Sequence, residues 1–108
     1  MPAALVVQHR YRVDPLDRPQ LLLLLAHVRA YALDLGVASF CAWQDQDDPW
    51  MWTELHGYDS WSHYVRLSQK PLDAAMLATY EALAKLQVGG EAAVSTQFWT
   101  PVVTTDSA

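Results

Sequence analysis

The stretch from Trp50 to Lys70, Trp-Met-Trp-Thr-Glu-Leu-His-Gly-Tyr-Asp-Ser-Trp-Ser-His-Tyr-Val-Arg-Leu-Ser-Gln-Lys, decides how the chain is read. In its first half Trp52, Glu54, His56 and Tyr58 alternate with Met51, Thr53, Leu55 and Gly57. A period of two over that length is a strand with two unlike faces. At Asp59-Ser60 the period changes. Both residues suit a helix N-cap, because a short side-chain oxygen accepts the free backbone N–H groups of a first turn. Trp61, Tyr64, Val65 and Ser68 follow at helical spacing, and Pro71 ends the run because its ring cannot continue a helix. The stretch predicts a strand feeding straight into a short helix.

Upstream, Leu5, Val7, His9, Tyr11 and Val13 alternate with Val6, Gln8, Arg10 and Arg12, which predicts a first strand closed by Asp14-Pro15. Asp17 with Gln20 three residues later resembles a capping box, and a helix is expected from about Arg18 to Leu35, ended by Gly36. Leu21, Leu24, Leu25, Val28, Tyr31, Ala32 and Leu35 form its apolar stripe. Leu22, Leu23 and Ala26 widen the stripe beyond one core face, which suggests a second contact with another helix or another chain. Val37 to Gln46 reads as a second strand and Asp45 to Pro49 as an exposed turn.

Downstream, a helix is expected over Leu72 to Val88, capped by Asp73 and terminated at Gly89-Gly90, with Met76, Leu77, Tyr80, Leu83 and Ala84 facing inward. Ser95 to Val103 predicts a last strand with Phe98 and Trp99 on opposite sides. The order strand, helix, strand, strand, helix pair, strand is that of an α+β, ferredoxin-like split βαβ fold. It implies an antiparallel four-stranded sheet with the first and third strands central and all helices on one face.

The chain of 108 residues, 52% of them hydrophobic, suits one domain with a substantial core, followed by a disordered tail over Thr104 to Ala108. A net charge of −5 argues against nucleic acid, whose phosphates demand a basic surface. Leu21 to Leu25 is interrupted by His27 and Arg29, far short of the roughly 20 apolar residues of a membrane span. The N-terminus lacks the basic start of a signal peptide, and the lone Cys41 excludes an internal disulfide, so a cytoplasmic protein is expected. Tryptophan is abundant, with five residues. Trp43, Trp50, Trp52 and Trp99 are expected on strands, and alternation sends some of them to each face, including the one that helices leave bare. A bare sheet face carrying indoles is an apolar patch that a monomer rarely tolerates, so a homodimer through the sheet faces is expected.

The pattern, and Glu54 through Asp73 above all, resembles the dimeric α+β barrel superfamily and its antibiotic biosynthesis monooxygenase-like branch. There a strand ending in an acidic-aromatic step leads into a Ser-Trp or Ser-Phe helix start, as Ser60-Trp61 does here. Glu54, Ser60-Trp61, Arg66 and Asp73 are also similar to the soluble domain at the C-terminus of some major-facilitator exporters, with Tyr64 standing where that domain has a histidine. The resemblance implies a cofactor-free monooxygenase that deprotonates an electron-rich aromatic or quinone-type compound and lets the carbanion meet oxygen. The alternative it leaves open is a non-catalytic dimeric module that holds a small ligand. Haem-degrading relatives carry an axial histidine on the helix after the Ser-Trp segment; Ala74 to Tyr80 contains none, and His63 falls too early.

No phosphate loop, paired cysteines, His-Glu-x-x-His or Gly-x-Ser-x-Gly is present. Glu54 and His56 lie two apart on one strand face, and His9 lies on the strand expected beside them. Such a group suits a general base, for which His56 or His9 are the candidates; no fixed ligand spacing supports a metal, and no cofactor is called for. The purely structural alternative has Glu54 accepting a hydrogen bond from Arg10, Tyr11 or Arg12. Tyr64 or Arg66 are candidate donors to a developing negative oxygen, and Trp43, Trp52 and Trp61 a candidate pocket wall. Against these roles stand core or interface burial for the tryptophans and solvation for Arg66.

Overall fold

The computed structural model describes residues 3–102. Met1, Pro2, the end of the last expected strand at Val103 and the tail expected from Thr104 to Ala108 lie outside the described residues. The elements are β1 (Leu5–Arg12), α1 (Arg18–Leu35), β2 (Ser39–Gln44), β3 (Met51–Tyr58), α2 (Trp61–Ser68), α3 (Ala74–Leu86) and β4 (Ser95–Trp99). They form an antiparallel sheet of four strands in the order β2-β3-β1-β4, with β1 and β3 central, as the ferredoxin-like α+β reading requires.

The local signals act as their chemistry dictates. Ser60 Oγ accepts the His63 N–H at 3.0 Å and starts α2. Asp73 Oδ1 accepts the Met76 N–H at 2.8 Å and starts α3. Gly36 ends α1 in the left-handed region at φ 114°, where a Cβ would be strained. The capping box expected at Asp17 does not form: its side chain makes no cap bond. The turn is built one step earlier, where Asp14 Oδ1 accepts the Leu16 N–H at 2.9 Å and Pro15–Asp17 makes a 3-10 turn. Asp17 closes that turn at φ −90° and ψ 3°, outside the extended backbone that an N-cap side chain needs.

Register sorts the side chains. Leu5, Val7, His9 and Tyr11 lie opposite Tyr58, His56, Glu54 and Trp52, so these eight share one face. Phe40, Ala42, Thr96 and Phe98 join them from the edge strands. The helices cover that face in two apolar clusters. At one end Leu5, Val7 and Tyr58 pack with Ala32, Val37 and Leu67. At the other Tyr11, Val13 and Trp52 pack with Leu21, Leu25 and Leu83. Among the described residues the opposite face bears no helix; Trp43 is 64% and Trp99 48% exposed there. Trp50 is not on a strand: it sits in the turn before β3 with the Arg12 guanidinium 5.7 Å over its ring. Among the surplus apolar residues of α1, Leu22 and Leu23 are exposed. No described helix is long and apolar enough to cross a membrane.

The caps give a direct contrast. Ser60→Ala and Asp73→Ala should each cost about 1 kcal/mol, read as a lower urea midpoint at unchanged slope. Asp17→Ala, which removes no cap bond, should stay within about 0.5 kcal/mol of the parent.

Candidate functional site

Between the two apolar clusters the covered face turns polar. On β3 Glu54 and His56 separate Trp52 from Tyr58, and on β1 His9 separates Val7 from Tyr11. The β1–β3 register places His9 across from Glu54 and Val7 across from His56, so the three polar residues meet at the middle of the sheet.

Glu54 is 4% exposed, and both of its oxygens are satisfied. Tyr11 donates its hydroxyl to Oε2, and His56 Nε2 lies 3.0 Å from Oε1. Such pairing offsets the cost of burying a carboxylate, which is several kcal/mol when left bare. Of the three residues named for this role, Tyr11 supplies the bond; Arg10 and Arg12 point to the uncovered face, where Arg12 pairs with Asp48 at 2.7 Å. A carboxylate only accepts, so in a neutral His56 bonded to it the proton sits on Nε2 and Nδ1 is the acceptor. Among the described residues His56 Nδ1 has no hydrogen-bond partner and is not sealed from solvent. The ring is held edge-on by Phe40 and His9, with centroids at 4.9 and 5.2 Å.

His9 Nδ1 lies 3.0 Å from Thr96 Oγ1 on β4. Burial lowers the His9 pKa from its ordinary 6.5, His56 lowers it further, and Glu54 opposes them. Burial, reinforced by the Glu54 charge and hydrogen bond, pushes the Tyr11 phenol far above its ordinary range. Burial, with Tyr64 and Tyr80 nearby, pushes Tyr58 up to about 12, and burial with Glu54 and Tyr31 raises Tyr80. These three phenols therefore stay protonated at neutral pH and can donate.

Over this group lies a cavity of about 710 Å³ between the sheet and the three helices. His9, Tyr11, Glu54 and His56 line its sheet side; Tyr31, Leu35, Leu67, Leu77, Tyr80 and Leu83 come from the helices. Lys70, Leu72, Glu81 and Glu91, all exposed, form its rim. Among the described residues no group of three or more His, Cys, Asp and Glu side chains is placed to hold a metal ion.

The structure brings His9, Glu54 and His56 together but not the expected wall or donors. Trp43 faces the uncovered side, because it pairs with Thr53 while the cavity face takes Ala42 and Phe40. Trp52 is on the right face but buried beyond the cavity in the Tyr11–Leu21 cluster, with the Arg18 guanidinium 5.9 Å from its ring. Trp61 is 57% exposed on α2 and leans on Phe98 at 5.5 Å, outside the cavity, so it does not anchor its helix in the core either. Tyr64 packs on Tyr58 at 5.1 Å behind the lining, and Arg66 is exposed on α2. His63 is fixed by the Asp59 N–H at 3.0 Å and also stands outside. The aromatic wall is tyrosine: Tyr11, Tyr31, Tyr58 and Tyr80. Thr96, which fixes His9, is a residue that sequence reasoning misses; its one signal is a place on the last strand, whose register no spacing specifies.

No known family profile matches the sequence, and no curated protein matches it. Solved structures do match. A cofactor-independent oxygenase from Streptomyces nogalater, SnoaB in a mutant form, superimposes with a TM-score of 0.73 over 94% of this chain and 95% of its own, at 14% identity. A candidate antibiotic biosynthesis monooxygenase from Caulobacter crescentus gives 0.74 over 94% and 92% at 12% identity. A further antibiotic biosynthesis monooxygenase gives 0.70 over 92% and 99% at 11% identity. The chain thus has the fold of the antibiotic biosynthesis monooxygenase proteins, and at such identities the fold is what is shared.

The neutral His9 has a thermodynamic signature. Its folded pKa lies below 6.5, so between those two values the unfolded chain binds more protons and stability falls as pH drops. Urea unfolding of the parent and of His9→Gln from pH 8 to pH 5 should show a loss below about pH 6.5 that the variant lacks.

Proposed function

We propose that the protein is a cofactor-independent monooxygenase acting on a small, electron-rich aromatic of the hydroquinone or anthrone type. One observation carries the reading: His56, bonded through Nε2 to a buried carboxylate, lines a tyrosine-walled cavity. The Streptomyces nogalater neighbour, a cofactor-independent oxygenase, supports it.

The chemistry follows from the geometry. His56 Nδ1 takes the proton from the substrate's activated C–H or O–H, and Glu54 stabilises the imidazolium that forms, as the carboxylate of a carboxylate–histidine pair does. Tyr11 holds Glu54 in place and keeps its own proton. His9, kept neutral, takes its proton on Nε2 when Thr96 donates to Nδ1, and then donates to the oxygen on which charge develops. The carbanion reacts with dioxygen. In an anthrone one oxygen atom ends in the new carbonyl and the other leaves as water, with both protons coming from the methylene carbon; in a hydroquinone one comes from the ring C–H and the other from a hydroxyl. No external reductant is consumed.

A second copy of the chain completes the molecule in this reading. It lies on the uncovered sheet face, where Trp43, Trp99 and half-buried Val6 and Leu55 form an apolar patch. The lone Cys41 suits the reducing cytoplasm to which we assign it.

Oxygen uptake with an anthrone tests the activity. The parent should consume one dioxygen per anthrone, and His56→Gln should lower kcat by about 10²- to 10⁴-fold with little change in KM. Binding of anthrones and hydroquinones by the parent without any uptake would leave a non-catalytic ligand-binding module. Light scattering at micromolar concentration should give twice the chain mass, and Trp43→Ser with Trp99→Ser should give the monomer. A monomeric parent would refute the second copy.

A further inference from the structure

The ionisable groups around the cavity are unevenly signed. Glu54 sits on its sheet side, Glu81 and Glu91 at its rim, and Lys70 is the single ammonium among the lining residues. Glu54 is buried, so water screens it poorly, whereas the rim charges act mainly on approach. His9 adds no positive charge at neutral pH, since burial and His56 both oppose its protonation. The tyrosines supply hydroxyl donors in place of cations: Tyr11 is committed to Glu54, while Tyr31, Tyr58 and Tyr80 show no side-chain partner among the described residues.

We infer that the cavity selects uncharged, hydroxyl- or carbonyl-bearing aromatics and rejects those that carry a carboxylate. The inference rests on the reading of this cavity as an aromatic-substrate site and names the charge class it accepts. An anionic substituent entering it meets the Glu54 carboxylate and loses its hydration, while Lys70, the ammonium among the lining residues, stands exposed at the rim. A carbonyl or phenol loses less hydration and finds phenolic donors.

Binding of already oxidised ligands separates this selection from turnover. The probes are 1,8-dihydroxyanthraquinone bearing a ring carboxylate and the same compound with a primary amide, titrated at pH 7.5 and followed by intrinsic fluorescence. The amide should bind at least about tenfold tighter, the ratio that 1.4 kcal/mol produces. Glu81→Gln with Glu91→Gln, both exposed, should narrow the ratio without affecting folding, and added salt should narrow it likewise. Equal or tighter binding of the carboxylate, abolished by Lys70→Gln, would overturn the charge selection while leaving the aromatic site intact. Binding of neither ligand would overturn both.

Discussion

A carboxylate buried at the centre of a sheet is the constraint around which this molecule is arranged. Glu54 interrupts what would otherwise be one continuous apolar layer and divides it into two clusters. An apolar residue at that position would join the two halves and add to stability. The charge is tolerated because β1 and β3 are the central pair, so their register brings Tyr11 and His56 to its two oxygens. Hydrogen bonds to charged groups are worth about 1.5–3 kcal/mol each, enough in number to offset desolvation but not to make Glu54 better than a leucine. A side chain kept at that cost points to chemistry rather than to folding.

The other parts of the fold serve the same spot. The central strands fix Glu54, His56 and His9 more tightly than loops would, and the edge strands contribute Phe40 and Thr96 as supports for the two rings. The helices leave a gap above the polar belt instead of sealing it, and where they approach it α1 and α3 bring Tyr31 and Tyr80 to the cavity. The result is a phenol-lined space with one imidazole bonded to a carboxylate and one kept neutral by burial. That combination allows proton removal and charge stabilisation side by side.

Much of this is legible in the residues alone. The change of period at Asp59-Ser60 locates the β3–α2 junction, and Gly36 and Asp73 bound their helices, because each signal is local and acts through its own backbone; Gly89-Gly90 does not end α3, which stops at Leu86 with Gln87 extended as its C-cap and leaves the glycines to the turn beyond. Alternation also places Glu54 and His56 on one face, with His9 on the strand beside them. What spacing does not carry is register. Trp43 and Ala42 are neighbours in sequence, and only the pairing of β2 with β3 decides which of them meets the cavity. Tyr31 and Tyr80 belong to helical stripes, as their spacing indicates; that they border a cavity rather than pack solidly depends on how far the helices stand off the sheet. The Asp17 box fails for a different reason: Asp17, at φ −90° and ψ 3°, closes the 3-10 turn and lacks the extended backbone from which an N-cap side chain reaches its N–H.

The central claim is that Glu54 accepts from His56 Nε2 and leaves Nδ1 unprotonated toward the cavity. Nitrogen-15 spectra of the histidine side chains at neutral pH test it directly, since the two ring nitrogens differ in shift according to which one bears the proton. The account predicts that His56 is the Nε2–H tautomer, and that Glu54→Ala releases it to a mixture. A His56 protonated on Nδ1 alone, with Glu54 donating to Nε2, would contradict it.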